Sequence, residues 1–324
     1  MPQTKNYICD KVERLDTFLA QQINQSRSQI AQLIKKECVY VEDKLVSRPG
    51  VKLKLEQNIR VEFPYVEKQA ALDIDFDVEI LYEDDEVLVI NKPTGLTVHP
   101  APSVKEATLV DWLKHKGIRL STISGEERHG IVHRLDKGTS GTMIVAKTNE
   151  AHEFLSEQLQ DKSMGRYYLA VLNPPLKDDI TVIEKHISRS QHNRLKMACV
   201  DNTGKYAKTM FSNLALCNDE KNQLVACKLF TGRTHQIRVH LETNNRHIIG
   251  DHIYGISPKQ EKSERILLHA YMIYFIHPTS KKELSFVAPF DAYMSEYINT
   301  KFNLEQINEV IEPSNILNSF TTDS

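Results

Sequence analysis

From Leu88 onward the chain is a succession of short apolar runs, too brief for core helices and too regular for loops. "LVIN", "TMIVAK", "YYLAVL", "LVACKLF", "QIRVHL", "MIYFIHP" and "ELSFVAPF" carry the β-branched and aromatic content of strands, bounded by turn residues. "LVDWLKHK" and "EAHEFLSEQLQDK" have helical spacing instead, with Phe154, Leu155, Gln158 and Leu159 forming one set. Many strands with few crossover helices exclude a doubly wound sheet. The fold class is α+β, with a mixed, largely antiparallel sheet and flanking helices. In a strand, consecutive Tyr167 and Tyr168 face opposite sides, whereas Arg238 and His240 share one face.

A smaller α/β module precedes this region. "ERLDTFLAQQI" places Leu15, Phe18, Leu19 and Ile23 on one helical stripe, and "SRSQIAQLIKK" does the same with Ile30, Leu33 and Ile34 behind a Ser26 cap. "CVYVEDKLV" reads as a hairpin turning at Glu42-Asp43, and "NIRVEF" as a closing strand. Arg27, Lys35, Lys36, Arg48, Lys52 and Lys54 are spaced so that several can share one side. The domain reading is therefore 1–65 for the small module, 66–77 for an acidic linker, and 78–302 for the large domain. Residues 303–324 read as a polar C-terminal tail with little core to join.

Composition bounds the function. A formal net charge of -2 argues against a chain coated in positive charge, yet residues 185–208 hold Lys185, Arg189, Arg194, Lys196, Lys205 and Lys208 against one acid, Asp201. Five scattered cysteines suggest buried thiols, not disulfides or zinc. His129 and His133 lack a helical H-E-x-x-H setting, and "GTSG" lacks the lysine of a phosphate-cradling loop. Without a membrane-length apolar run or a signal-peptide core, the expected location is cytoplasmic.

Three separated stretches carry chemistry. "HRLDKGTSG" sets Asp136 among His133, Arg134 and Lys137; "SMGRYYLAVL" holds the tyrosine pair; "LFTGRTHQIRVHLETNNRHIIGDHIYG" brings Arg233, His235, Arg238 and His240 with no acid before Glu242. "GIVHRLDKGTSG" resembles the H-R-L-D-x-x-T-S-G signature of the RluA/RluD family of pseudouridine synthases. "VINKPTGLTVHPAPS", "RYYLAVL", "RLKMACVDNTGKYAKT", "TGRTHQIRVHL", "GDHIYG" and "LLHAYMIYFIHP" resemble that family's other blocks, in order. The front module resembles an S4 RNA-binding domain over roughly residues 12–64. Glu37 and Glu42-Asp43 stand where that family usually has Gly and Asn-Gly. Gly165, "NPP" and His252 depart from the synthase pattern without touching Asp136, Tyr168 or Arg238.

The resemblance implies a pseudouridine-synthase fold with a central cleft and isomerisation of specific uridines in RNA, most nearly large-subunit ribosomal RNA. It implies no cofactor or metal, RNA as partner, and no membrane or obligate protein partner. Asp136 corresponds to the catalytic aspartate, Tyr168 to the active-site tyrosine, Arg238 to the basic partner of the aspartate, and Arg134 to the base-displacing arginine. His133, Thr139, Arg233 and His235 are candidate substrate contacts. Arg27, Lys35, Lys36, Lys52, Arg194, Lys196 and Lys205 are candidate RNA contacts. Asp136 can attack C1′, remove a ribose proton or stabilise charge on the sugar, and all three roles stay open. A nearby Arg keeps such a carboxylate ionised in a dry pocket. The small "GTSG" residues are expected to admit RNA backbone. The alternatives are an inert S4-containing RNA-binding or ribosome-assembly protein, a synthase acting on transfer RNA, and a carboxylate-pair glycosidase using "YEDDEV".

Overall fold

A computed structural model describes residues 3–23, 27–63, 73–101, 104–123, 129–255 and 263–321. The chain divides into two compact units, Met1–Ala71 and Leu72–Ser324.

In the first unit, β1 (Gln3–Ile8), β4 (Asn58–Phe63), β2 (Val39–Val41) and β3 (Lys44–Leu45) form one antiparallel sheet in that spatial order. Helices α1 (Leu15–Ile23) and α2 (Arg27–Lys35) complete the unit. Leu15, Phe18 and Leu19 of α1 and Ile30 and Ile34 of α2 are buried with Val39, Ile59 and Val61, so the helical stripe read from the sequence is the core face. Ser26 lies outside the described residues. Strand β1 was not legible in the sequence because "QTKNYI" is mostly polar and pairs only at one edge.

The acids that stand where the S4 family usually has Gly and Asn-Gly take left-handed backbone. Glu37 ends α2 at φ 61°, and Glu42 and Asp43 turn the hairpin at 50° and 59°. A two-residue hairpin whose twist matches its strands needs positive φ at both positions. A left-handed residue with a Cβ costs about 1–2 kcal/mol. Exposed Glu37 should therefore yield to glycine: Glu37→Gly is expected to stabilise this unit by about 1 kcal/mol in thermal or urea unfolding. An unchanged midpoint would show that strain is absent there.

The second unit is built on β5 (Glu79–Glu83), β6 (Val87–Lys92), β7 (Ser140–Ala146), β8 (Gly165–Asn173), β9 (Ile180–Arg189), β10 (Met197–Val200), β11 (Lys205–Leu216), β12 (Gln223–Leu229), β13 (His247–Ile248), β14 (Leu268–Ile276) and β15 (Glu283–Val287). They form one 11-stranded sheet whose main path runs β10-β9-β11-β12-β8-β14-β7-β6-β5, with β13 on β8 and β15 on β14. Only β7 with β14 is parallel among these pairings, so the sheet is mixed and largely antiparallel. Helices α3 (Leu109–His115), α4 (Asn149–Asp161), α5 (Gln236–Thr243), α6 (Ala292–Lys301), α7 (Leu304–Val310) and α8 (Pro313–Asn318) cover it. Thr108 and Asp111 form a capping box on α3, and Thr148 caps α4.

Strand β8 is covered on both faces. Tyr168, Ala170 and Leu172 join Trp112, Ile237 and Leu241 on one side, while Tyr167, Leu169 and Val171 join Met294, Ile298 and Phe302 on the other. The tyrosine pair splits as strand alternation requires.

Three readings are corrected. "QIRVHL" is helix α5, not a strand. Residues 236–241 are all buried, so no polar face betrays the helical period, and the apolar alternation of Ile237, Val239 and Leu241 imitates a strand. Arg238 and His240 consequently point apart, the latter pairing its Nδ1 with Thr209 Oγ1 at 2.9 Å. Residues 303–324 are not a simple polar tail. Asn303 caps α7, Pro313 starts α8, and Ile307, Ile316 and Phe320 bury against the Tyr167 face of β8. One anchor per helix was too sparse to register as a pattern. In the segment read as a linker, residues 66–72 lie outside the described residues, but Ile74 and Phe76 pack on the larger core and Asp77 accepts from the Trp112 indole at 3.1 Å.

Candidate active site

Asp136 sits in the turn before β7, where its carbonyl accepts the Thr139 amide at 3.1 Å. Its carboxylate is partly exposed, and Arg238 Nη1 approaches Oδ2 at 3.1 Å. The two residues come from a loop and from α5, 102 positions apart.

Arg238 is held chiefly by a residue the sequence reading left unassigned. Asp251 accepts from Arg238 Nε at 2.7 Å and from Nη2 at 2.8 Å, a bidentate pair whose carboxylate is only 1% exposed. The amides of Ile253 and Tyr254 donate to Asp251 Oδ1 at 3.0 and 3.1 Å. Burial alone pushes Asp251 up, but Arg238 and these amides together hold it below the ordinary carboxylate value. Burial likewise opposes the charge on Arg238, yet Asp251 and then Asp136 hold the guanidinium above its ordinary value.

Tyr254 completes the support. Its ring centroid lies 5.0 Å from the Arg238 guanidinium, and its hydroxyl pairs with His235 Nδ1 at 2.9 Å. His235 Nε2 reaches to 3.8 Å from Asp136 Oδ2, and burial outweighs that carboxylate, lowering the imidazole's pKa. The block "GDHIYG" is thus the scaffold of Arg238 and His235; an acid and an aromatic in one short motif was the available signal.

Tyr168 faces the same pocket from β8, together with Leu229, Ile237 and Leu268. Burial pushes its hydroxyl up to about 12, so it is a phenol at neutral pH, able to donate a hydrogen bond. Arg134, Asp136, Thr139, His235 and Arg238 also line an adjoining groove of about 760 Å³, which Arg189 and Arg194 flank. The acid therefore opens onto a groove flanked by arginines.

Other expected contacts are placed differently. His133 is buried, accepts the Ile144 amide at 3.1 Å through Nε2, and lines a neighbouring recess, not the Asp136 pocket. Arg233 lines the pocket while donating to the Tyr206 carbonyl at 2.9 Å. Lys196 pairs with Glu242 at 2.9 Å and Lys208 with Glu184 at 2.6 Å, so acids outside 185–208 neutralise part of that stretch. Arg194 and Lys205 are exposed. Within the first unit, Arg27 is tied to Asp16 at 3.0 Å, while Lys35, Lys36 and Lys52 are exposed. Asp84 of "YEDDEV" accepts the amides of Glu86 and Val87, which makes that stretch a turn. Among the described residues no cluster of three His, Cys, Asp or Glu side chains could hold a metal.

Of the small residues after Asp136, Gly138 and Thr139 line the groove, while Ser140 and Gly141 make contacts inside the protein. Gly141 has φ 113°, and a Cβ there would lie 2.2 Å from the Ala270 carbonyl oxygen, where β7 meets β14. Ser140 pairs with His269 Nδ1 at 2.8 Å. Lys92, fully buried beneath the loop, donates to the carbonyls of Pro93 and Leu96 at 2.8 and 2.9 Å and toward that of Lys137. Burial pulls its ammonium down to about 7.

Two outcomes follow from this geometry. Gly141→Ala is expected to cost about 3 kcal/mol or more in chemical unfolding, combining backbone overlap with left-handed strain; a near-native variant would contradict the close approach. Arg238→Ala strands buried Asp251 and should cost about 3–5 kcal/mol. Because Asp251 is depressed in the fold, its stabilisation is present above the ordinary carboxylate pKa and fades as pH falls through the folded value. Losing Arg238 removes that depression, so acid unfolding measured by circular dichroism should begin at higher pH.

Comparison with known proteins gives a consistent outcome. Residues 86–243 match the RNA pseudouridylate synthase family, and residues 13–59 match the S4 domain. An uncharacterised RNA pseudouridine synthase of Helicobacter pylori strain J99 is 46% identical over 95% of this chain and 96% of its own length. A protein named ribosomal large subunit pseudouridine synthase D, from Zymomonas mobilis, is 38% identical over 91% and 94%. The human RNA pseudouridylate synthase domain containing 1 superposes with a TM-score of 0.57 at 22% identity, over 76% of this chain and 97% of that one, a likeness of fold.

Proposed function

Because the chain belongs to the RNA pseudouridine synthase family, and is an isomerase of that kind, we propose that it converts uridines of large-subunit ribosomal RNA to pseudouridine at Asp136. The observation that carries this reading is the Arg238–Asp136 contact at 3.1 Å, opening on a groove of about 760 Å³. The ribosomal target draws support from relatives named for the large subunit, including that of Zymomonas mobilis. The cytoplasm is the compartment such a substrate implies.

The reaction breaks the C1′–N1 bond, turns the uracil, and joins C1′ to C5. N1 gains the proton that C5 gives up, by way of solvent, so atoms and electrons balance without an oxidant. The reacting atoms lie inside a stacked nucleotide, and extrusion comes first. Arg134, exposed at the junction of pocket and groove, is placed to fill the vacated space by stacking its guanidinium plane. The extruded base then lies against Tyr168, with its sugar toward Asp136. With its hydroxyl pushed up to about 12, Tyr168 serves as a flat wall and hydrogen-bond donor, and the C5 proton leaves to water or another acceptor. Arg238, locked by Asp251, holds Asp136 in place throughout.

The reading of an inert RNA-binding protein gains nothing from the geometry, since acid, tyrosine and arginine line one pocket. Asp136→Asn decides between the two. Arg238 keeps Asp251 when Asp136 loses its charge, so melting temperature and RNA binding should stay near wild type. Release of tritium from uracil C5 of labelled ribosomal RNA should fall to background. Turnover like that of wild type would remove Asp136 from its role, and release from transfer RNA alone would redirect the substrate.

A further inference from the structure

We propose that the recess beside the catalytic pocket, walled by Arg134, Lys162, Arg166 and Arg233, binds one phosphodiester of the RNA strand next to the extruded nucleotide. This rests on the reading of the chain as an enzyme that acts on RNA. The recess measures about 530 Å³ and shares Arg134, Arg166, Gly232 and Arg233 with the catalytic pocket. Among the described residues no Asp or Glu lines it.

Arg166 is the centre of the argument. It is 7% exposed and projects from β8 on the face that carries Tyr168, two residues away. Among the described residues no carboxylate forms an ion pair with it, and its Nε is buried without a hydrogen-bond partner. A buried guanidinium cannot shed its proton, so an unpaired one is costly unless an anion arrives. The backbone leaves it room: a Cβ on Gly232 would lie 2.8 Å from Arg166 Nη1.

A second orphan donor belongs to the same recess. His133 accepts the Ile144 amide through Nε2, so the proton of the neutral ring is on Nδ1, and Nδ1 is buried with no partner. The Arg166 charge is near enough to help keep that ring neutral, after burial itself. Four cationic side chains with no acid among the described lining residues call for a ligand that only accepts hydrogen bonds. A phosphodiester carries one negative charge and acceptor oxygens, whereas a uracil edge brings N–H donors as well. Because the two cavities share a wall, the phosphate that fits is one adjacent to the nucleotide in the pocket. It would fix the register of the strand while the pocket reads the base.

The test uses the full chain, 23S ribosomal RNA tritiated at uracil C5, and the variants Arg166→Met and Arg166→Lys. Methionine fills comparable space without charge or donors. Arg166→Met should raise KM on the order of tenfold, more than it lowers kcat. The slope of log kcat/KM against log salt should become shallower by about 0.7, the share of one phosphate on a single strand. Its melting temperature should equal or exceed that of wild type, because an uncompensated charge has gone. Arg166→Lys should recover the salt slope and only part of the affinity. An unchanged KM and slope, or a variant that fails to fold, would overturn the recess and make Arg166 a structural residue. Filter binding of the same RNA separates this from the function itself. No tritium release, with a binding slope that flattens in Arg166→Met, removes the synthase reading and keeps the phosphate site. Normal release with an unaltered slope does the reverse.

Discussion

Arg238 lies between two carboxylates, and the site depends on the inequality between them. Asp251 takes two of its nitrogens in a fully buried fork, while Asp136 receives one, at the edge of a groove. A lone buried arginine facing a single acid would be hard to sustain, because each change in the acid's charge would leave the guanidinium uncompensated. With Asp251 as a permanent partner, Arg238 remains charged and fixed whatever the charge on Asp136. In the role proposed for it, the acid can then attack, accept a proton or stand as a charge without the scaffold moving.

That arrangement explains features that look unrelated along the chain. The sharp turn at residues 250–255 exists so that Asp251 Oδ1 can collect two amides while both its oxygens meet Arg238. Tyr254 then lies under the guanidinium and orients His235, which bounds the other side of Asp136. On the opposite flank, Lys92 gathers carbonyls from two loops, and Gly141 lets β14 approach the strand that follows the acid. Rigid elements thus hold a partly exposed carboxylate whose own contacts are few. Preorganised charge of this kind is where catalysis gains most.

The core was legible where one period ruled: α1 and α2 declared their faces, α4 did so at Leu155 and Gln158, and the tyrosine pair of β8 divided as alternation demands. Asp136, Tyr168 and Arg238 were legible through resemblance, and they line one pocket. The sequence misled where burial erased contrast. Helix α5 hides every residue from Gln236 to Leu241, so its alternation passed for a strand. The C-terminal helices α7 and α8 failed to register for the opposite reason, since Ile307 and Ile316 are single anchors among polar neighbours. Asp251 and Lys92 were in plain view, but their value comes from partners distant in sequence. No local pattern encodes a partner.

Charge gives the sharpest contrast between composition and surface. A chain of net charge -2 looks ill suited to a polyanion. Its acids, however, are spent on particular cations: Glu242 on Lys196, Glu184 on Lys208, Asp16 on Arg14 and Arg27. Around the groove and its recess, Arg134, Arg166, Arg189 and Arg194 form no ion pair among the described residues, and Arg233 turns to a carbonyl. Several arginines without an acidic partner are therefore gathered around the groove and its recess, although exposed lysines such as Lys35, Lys36, Lys52 and Lys205 lie elsewhere. A uniformly basic surface would hold RNA in many registers; a near-neutral one with a few unpaired arginines beside the acid favours the register in which the target base is within reach.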